Sequence, residues 1–415
     1  MATIVGGIGV SHTPTIGFAV DRGLGDQGDW QPVFDNLGAV KDWLQSVRAD
    51  VLFVIYNDHV TSFFFDHYSA FTLGVDDSYD PADEGGGARD LPSLMGHADL
   101  ARHIGHAMMQ QEFDLSFFRD RPLDHGCFSP LSILNYADGK WGVPIVPLQV
   151  GVLQYPIPTA RRCYRFGQAL KAAIESYPED LRVAVLGTGG LSHQVHGERA
   201  GFNNPDWDHE FMDLLEKDPE TLTKLTHTDY TLRGGAEGVE VIMWLIMRGA
   251  MGDNVKRVQS SYYLPSMTAI ATLVLEPDAD EANTAASLAE VGAQLKGIEQ
   301  VEGTYPFSLE RAASAYKLNE FLHGLVDAKV RARFLDDPES LMSEADLDAD
   351  ERELIRKRDW RGLIHQGATF FVLEKLGAAV GVSNLDIYSG MKGITLEELL
   401  ETRNAKIKYS VAGGS

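Results

Sequence analysis

Three histidines in this chain stand at or near the ends of apolar runs. Thr3–Val10 leads into Ser11, His12, Thr13 and Pro14. The run VLFVIY at 51–56 leads into Asn57, Asp58 and His59. Val183–Leu186 passes through Gly187, Thr188, Gly189 and Gly190 to Ser192 and His193. Imidazole is the commonest metal ligand and the side chain that titrates nearest neutrality. One histidine at a strand end is more often a satisfied polar residue than a ligand. Three in matching contexts favour a metal or acid–base site. Glu240 supplies the carboxylate, within GVEVIMWLIM at 238–247. A helix apolar on all faces is buried, and a buried carboxylate needs a cation or a shifted pKa. That cation is a metal, or it is Arg233, Arg248 or Arg257. Glu237 lies one turn earlier, at a Gly-rich helix start that stabilises a carboxylate anyway. Two histidines and a carboxylate leave coordination positions open on non-haem Fe(II). Zinc hydrolases use the same set, so residue types alone do not name the metal. The chain contains no H-E-x-x-H, and Ser192 lacks the following glycine of a G-x-S-x-G elbow.

These groups meet only if their strands are neighbours. Each run is rich in β-branched residues and reads as a buried strand. Open α/β folds place their sites beyond the carboxyl ends of such strands. Residues 1–280 therefore read as one α/β unit, with a central mixed sheet flanked by helices. Phe34–Val47 and Thr159–Ser176 have helical spacing, and Pro144–Val150 reads as a strand. Leu94–Gln111 reads as a helix whose His97, His103 and His106 are exposed. Gly234–Met251 reads as one helix, and Thr268–Leu275 as the strand that closes the sheet. Asp76–Pro92 reads as a long loop, and Asp124–Pro130 as a turn carrying His125. Gly23, Gly25 and Gly28 match G-x-G-x-x-G, but Asp21, Asp26 and Asp29 would repel phosphate, so a plain loop is expected. Residues 281–300 read as a helical connector. Residues 301–415 read as a small all-α domain, with helical segments at Leu309–Leu325, Lys329–Leu335, Ser340–Ala345, Asp350–Arg356, Trp360–Leu376 and Leu396–Arg403.

The 415 residues carry 36 basic and 60 acidic side chains, a formal charge of −24. That argues against nucleic acid or an anionic membrane as partner. Cys127 and Cys163 alone fit a reducing compartment without disulfides. No basic leader and no apolar run of membrane-spanning length is seen, so a cytoplasmic protein is expected.

Five ordered stretches carry a resemblance: GVSHTP at 9–14, NDH at 57–59, DHG at 124–126, GGLSH at 189–193 and AEGVE at 236–240. Together they resemble the catalytic β subunit of the protocatechuate 4,5-dioxygenase family, the type II extradiol ring-cleaving enzymes. The resemblance spans about 280 residues. Beyond residue 306, Arg358-Asp359-Trp360 and GATFF at 367–371 are similar to that family's small helical α subunit. Most members split these parts between two chains. One chain with the catalytic part first is similar to members that act on gallate. The resemblance implies a dioxygenase that inserts both atoms of O2 into gallate to give 4-oxalomesaconate. It implies Fe(II) held by His12, His59 and Glu240, His193 as general base, and His125 beside the O2 or proton-transfer side. Thr13, Asn57, Thr268, Glu374 and Tyr409 are the candidates for binding substrate. A homodimer is implied, and no nicotinamide or flavin. Protocatechuate as substrate, a zinc hydrolase and a binding protein on the same fold remain the alternatives.

Overall fold

The computed structural model describes residues 1–195, 197–278 and 296–402. The chain divides into two compact units, Met1–Ala293 and Gln294–Ser415. The first is built on an eight-stranded mixed sheet. In chain order its strands are β1 (Thr3–Val10), β2 (Val51–Tyr56), β3 (Phe71–Gly74), β4 (Ser116–Phe118), β5 (Ile145–Val150), β6 (Arg182–Thr188), β7 (Val255–Tyr263) and β8 (Ile270–Pro277). Across the sheet they run β7-β8-β1-β6-β2-β5-β3-β4. The centre, β1-β6-β2-β5, is parallel. Antiparallel pairs join β8 to β1, β7 to β8 and β3 to β5.

Helices cover both faces, which is why the central strand β2 is apolar at every position. In β2, Val51, Phe53 and Ile55 pack into one core, and Leu52, Val54 and Tyr56 into the other. The first core takes helices Ala98–Gln110, Ala160–Glu175 and Ile242–Gly249; the second takes Gln31–Val47 and His125–Leu134. Two glycines set the distance of Ile242–Gly249 from the sheet. A Cβ on Gly9 would lie 2.3 Å from the Trp244 ring, and one on Gly187 3.2 Å from the Trp244 Cα. The helix therefore sits close over β1 and β6 and carries Glu240 with it.

Register fixes the placement of the strand ends. Val10 is paired with Thr188, and Ile55 with Gly187. Thus β6 lies between β1 and β2, whose backbones are roughly 10 Å apart at the usual strand spacing. Only side chains reaching inward over the end of β6 can meet. That end is Gly187-Thr188-Gly189-Gly190, which keeps the space open.

Several elements differ from their sequence reading. The sheet does not close with Thr268–Leu275. That strand begins at Ile270, and β7 forms the edge beyond it. β7 carries Lys256, Arg257, Gln259, Ser260 and Ser261, an edge pattern too polar to read as a buried strand. Asp124–Pro130 is the start of helix His125–Leu134, with Pro130 inside it. Asp124 caps it by accepting from Gly126 N–H, and burial of Phe128, Leu131 and Leu134 holds it despite the proline. Leu94–Met95 is a short strand, and His97 is the N-cap of helix Ala98–Gln110. His103 and His106 are half-buried rather than exposed; His103 Nε2 is 2.8 Å from Ser176 Oγ. Gly234–Met251 is not one helix: a 3-10 turn, Glu237–Val241, precedes Ile242–Gly249.

The second unit is helical throughout its described residues, apart from turns and connections. Its helices pack Leu318, Leu322, Trp360, Leu363, Leu373 and Ile387 into a separate core. Leu309–Leu325 is broken at Ala315. Trp360–Leu376 is broken at Gly367, whose φ of 111° ends helix Trp360–Gln366. Asn384–Lys392 is a further helix that the sequence reading left out. Of the expected connector, residues 281–295 lie outside the described residues, and Ile298–Gln300 is a 3-10 turn. No helix among the described residues is long and apolar enough to cross a membrane.

Candidate active site

β1 and β2 deliver His12 and His59 just past their last residues, with the rings 5.0 Å apart and edge to face. The 3-10 turn delivers Glu240, whose Oε1 is 3.4 Å from His12 Nε2. One ligand atom from each of His12, His59 and Glu240 lies within 4.8 Å of the others. The three arginines weighed as partners for Glu240 are engaged elsewhere. Arg248 donates to the carbonyls of Leu215, Gly252 and Asp253. Arg233 pairs with Glu210, and Arg257 with Asp213 and Glu216. Glu237 instead accepts from Val195 N–H at 3.0 Å.

The supporting contacts decide which atoms face inward. Asp124 Oδ2 accepts from both the backbone N–H and Nδ1 of His59, each at 2.8 Å. A carboxylate only accepts, so Nδ1 carries the proton and Nε2 keeps its lone pair. His12 Nδ1 is 2.9 Å from Thr188 Oγ1. That hydroxyl can accept from Nδ1–H, the tautomer that frees Nε2 for a metal. Gly190 N–H donates to Glu240 Oε1. A Cβ on Gly190 would lie 3.0 Å from that oxygen and 2.8 Å from His193 Cε1, so the contact requires glycine.

Protonation states suit a divalent cation. Burial pulls the pKa of His12 below the ordinary imidazole value, which keeps it neutral near pH 7. Burial works against ionisation of Glu240 too, but His12, His193 and His59 outweigh it and hold the carboxyl down to about 2. Burial likewise lowers His59, and the Asp124 carboxylate overcomes it and raises the pKa. Neutral imidazoles at His12 and at His59, once its proton is displaced, beside an ionised Glu240 make a fitting donor set for a divalent metal. Thr188→Val keeps the shape and removes the partner of His12 Nδ1. We expect metal affinity to fall about 10-fold or more, as loss of an outer partner usually costs. Competition with a chelator measures it, and unchanged affinity would remove Thr188 from this role.

Two further histidines adjoin the triad. His193 Nε2 is 3.8 Å from Glu240 Oε1, and its Nδ1 donates to the Leu191 carbonyl at 2.7 Å. A carbonyl cannot donate, so Nε2 is the basic nitrogen. The turn that presents it is pinned by buried Asp208, which accepts from Ser192 N–H at 2.7 Å, Ser192 Oγ at 2.8 Å and Tyr262 OH at 2.9 Å. His125 stacks on His59, with centroids 4.0 Å apart and planes 28° apart.

The other candidates are spread more widely. Thr13 Oγ1 is 2.7 Å from Thr15 Oγ1. Asn57 is fully buried with Nδ2 3.3 Å from His59 Nε2, and its Oδ1 has no protein partner. Thr268 reaches the site wall: its Cγ2 would lie 2.8 Å from a Cβ on Gly190. Glu374 belongs to the helical unit, where its carboxylate accepts from Asn384 Nδ2. Tyr409 lies outside the described residues. Sequence reasoning assigned no role to Thr188, Asp124, Glu84 or Asp208. Only Asp124 carried a local signal, as the residue before His125.

A parallel-centred sheet that presents two histidines and a buried glutamate at its rim defines a metal-dependent class, and sequence comparison names it. Residues 6–275 match the profile described as the catalytic LigB subunit of aromatic ring-opening dioxygenase, and the chain belongs to that family of enzymes. Residues 318–404 match the LigA subunit of the aromatic-ring-opening dioxygenase LigAB. The chain is 61% identical over 336 residues to a gallate dioxygenase of Pseudomonas putida, covering 80% of this chain and 98% of that one. It is 30% identical over 189 residues to a 2,3-dihydroxyphenylpropionate/2,3-dihydroxicinnamic acid 1,2-dioxygenase of Klebsiella pneumoniae, covering 45% of this chain and 55% of that one. A Photorhabdus laumondii protein of the same name is 26% identical over 302 residues, 61% of this chain and 91% of its own.

Proposed function

We propose that this ring-opening dioxygenase acts on gallate with Fe(II) held by His12, His59 and Glu240, and yields 4-oxalomesaconate. The observation that carries the chemistry is the convergence of three ligand atoms within 4.8 Å of one another beside the basic Nε2 of His193. The substrate assignment rests on the 61% identity to a gallate dioxygenase. Fe(II) in such a set lowers the pKa of phenol oxygens bound to it and keeps positions open for substrate and O2. The protein's own groups do the rest. His193 Nε2 takes a proton from a ring hydroxyl, and its Nδ1–H bond to Leu191 keeps that nitrogen basic. His125 serves a later proton transfer on the face of His59. Thr13, Asn57 and Thr268 orient the substrate, and the unpaired Oδ1 of Asn57 is an acceptor awaiting a donor. Glu374 and Tyr409 are proposed to read the third hydroxyl. Both oxygen atoms enter the product, so the substrate supplies every electron and no nicotinamide or flavin is required. Cytoplasmic location and homodimeric assembly belong to the same proposal.

The test is oxygen uptake by anaerobically Fe(II)-loaded protein, with gallate and protocatechuate at equal concentration. Uptake stoichiometric with gallate, and weak with protocatechuate, is expected. A site that hydrogen-bonds the third hydroxyl discriminates strongly against a substrate lacking it. Preference for protocatechuate would overturn the substrate and leave the ring cleavage standing. No uptake with either, or activity with zinc alone, would overturn the iron reading.

A further inference from the structure

The two stacked histidines are held in the same way by two different carboxylates. Asp124 accepts from the backbone N–H and Nδ1–H of His59. Glu84 does the same for His125: Oε1 accepts from the backbone N–H at 2.7 Å, and Oε2 from Nδ1 at 2.6 Å. The two differ in where they come from. Asp124 is fully enclosed at the start of its helix, whereas Glu84 reaches in, with 34% of its side chain exposed, from the loop that follows the short strand Ser78–Tyr79, a strand the expected 76–92 loop did not include.

The loop is built to present it. Upstream, Ala82 N–H donates to Leu123 O at 2.8 Å, and Leu123 N–H to Asp80 O at 2.9 Å. Downstream, Arg89 Nε donates to Asp21 Oδ2 at 2.8 Å. Between these anchors, Asp83 Oδ1 accepts from Gly85 N–H at 2.8 Å and Gly87 N–H at 2.9 Å. Both glycines have positive φ, 100° and 92°, a conformation that other residues rarely adopt. The turn thus fixes Glu84 in a tight bend whose side chain points at His125.

We propose that Glu84 is a positioning residue for ring cleavage, setting the orientation and tautomer of His125. With Nδ1–H committed to Glu84, Nε2 is the one polar atom of the ring left for chemistry. The inference rests on the proton-transfer role of His125, and the test separates the two.

The experiment compares Glu84→Ala, Glu84→Gln, His125→Ala and the Glu84→Ala/His125→Ala pair. In nitrogen-15 spectra of histidine-labelled protein, His125 is expected as the Nδ1–H form in the wild type. In Glu84→Ala it becomes a mixture of both tautomers. In the Fe(II)-loaded enzyme, kcat with gallate falls about 10-fold in Glu84→Ala, while KM and bound metal stay at wild-type levels. Glu84→Gln, with one oxygen for two donors, recovers part of the loss. Adding Glu84→Ala to His125→Ala brings no further loss, because both remove one function. An unchanged His125 spectrum with unchanged kcat would overturn the proposal. So would an additional 10-fold loss in the double variant, which would mean that Glu84 acts elsewhere. Wild-type turnover in His125→Ala would overturn the role of His125 instead, and the spectra alone would then judge the clamp.

Discussion

Glu240→Gln protein is expected to fold, to hold almost no metal and to lose turnover in proportion. The amide keeps the volume and can still accept from Gly190 N–H, so the turn at 189–190 survives. What it lacks is the charged oxygen that faces His12, since the carboxyl is held down to about 2 and is ionised at every working pH. Loss of a direct ligand should exceed the roughly 10–100-fold that loss of an outer partner costs. Metal analysis after dialysis measures the first effect and oxygen uptake the second; metal retained at wild-type level would remove Glu240 from the ligand set. The same site predicts how acid strips the wild type. His59 has a raised pKa, so it takes up its proton at a higher pH than an ordinary imidazole. As the pH falls, metal retention therefore fails first at the upper end of the imidazole range, through His59, and it recovers as the pH rises past that point. Glu240 is still a carboxylate throughout that fall. Retention that persists down to the ordinary carboxylate range would contradict this order.

His193→Ala is the second large effect, and it separates chemistry from metal binding. The hydrogen bonds that orient the three proposed ligands do not involve this ring: Thr188 holds His12, Asp124 holds His59, and Gly190 holds Glu240. Bound metal and KM should stay near wild type. The kcat should fall by about 10²–10⁴-fold, the usual worth of a placed general base. His193→Phe should behave alike, which guards against the alanine merely loosening the buried turn. Normal turnover in both would take the base role from His193. Loss of metal in both would make it a ligand.

The convergence of His12, His59 and Glu240 was legible because burial on both sheet faces leaves strands apolar, so the polar residues at their ends stand out. Glu240 stood out for the same reason, as a charge inside an apolar run, although it lies in the 3-10 turn before the helix. What surrounds them was not legible. Thr188 looks like any threonine in a glycine-rich turn, and its value comes only from the pairing of Val10 with Thr188 across β1 and β6. Glu84 shares its loop with Asp76, Asp77, Asp80, Asp83 and Asp90, and nothing local marks it. The helix at His125 was hidden by Gly126, Ser129 and Pro130, which signal a turn unless the burial of the intervening residues is known. β7 was hidden by its polarity, which an edge strand tolerates and a central one does not.

The order of these pieces along the chain bears on how the protein is made. His12 and His59 leave a ribosome well before β6, which holds β1 and β2 in place and ends at Thr188, and Glu240 follows later still. Nascent chain shorter than that has the imidazoles without the gap they must span or the carboxylate that completes it. If the triad holds a metal as proposed, capture waits for a finished catalytic unit, and arrested chains ending before residue 240 should emerge unable to retain the ion.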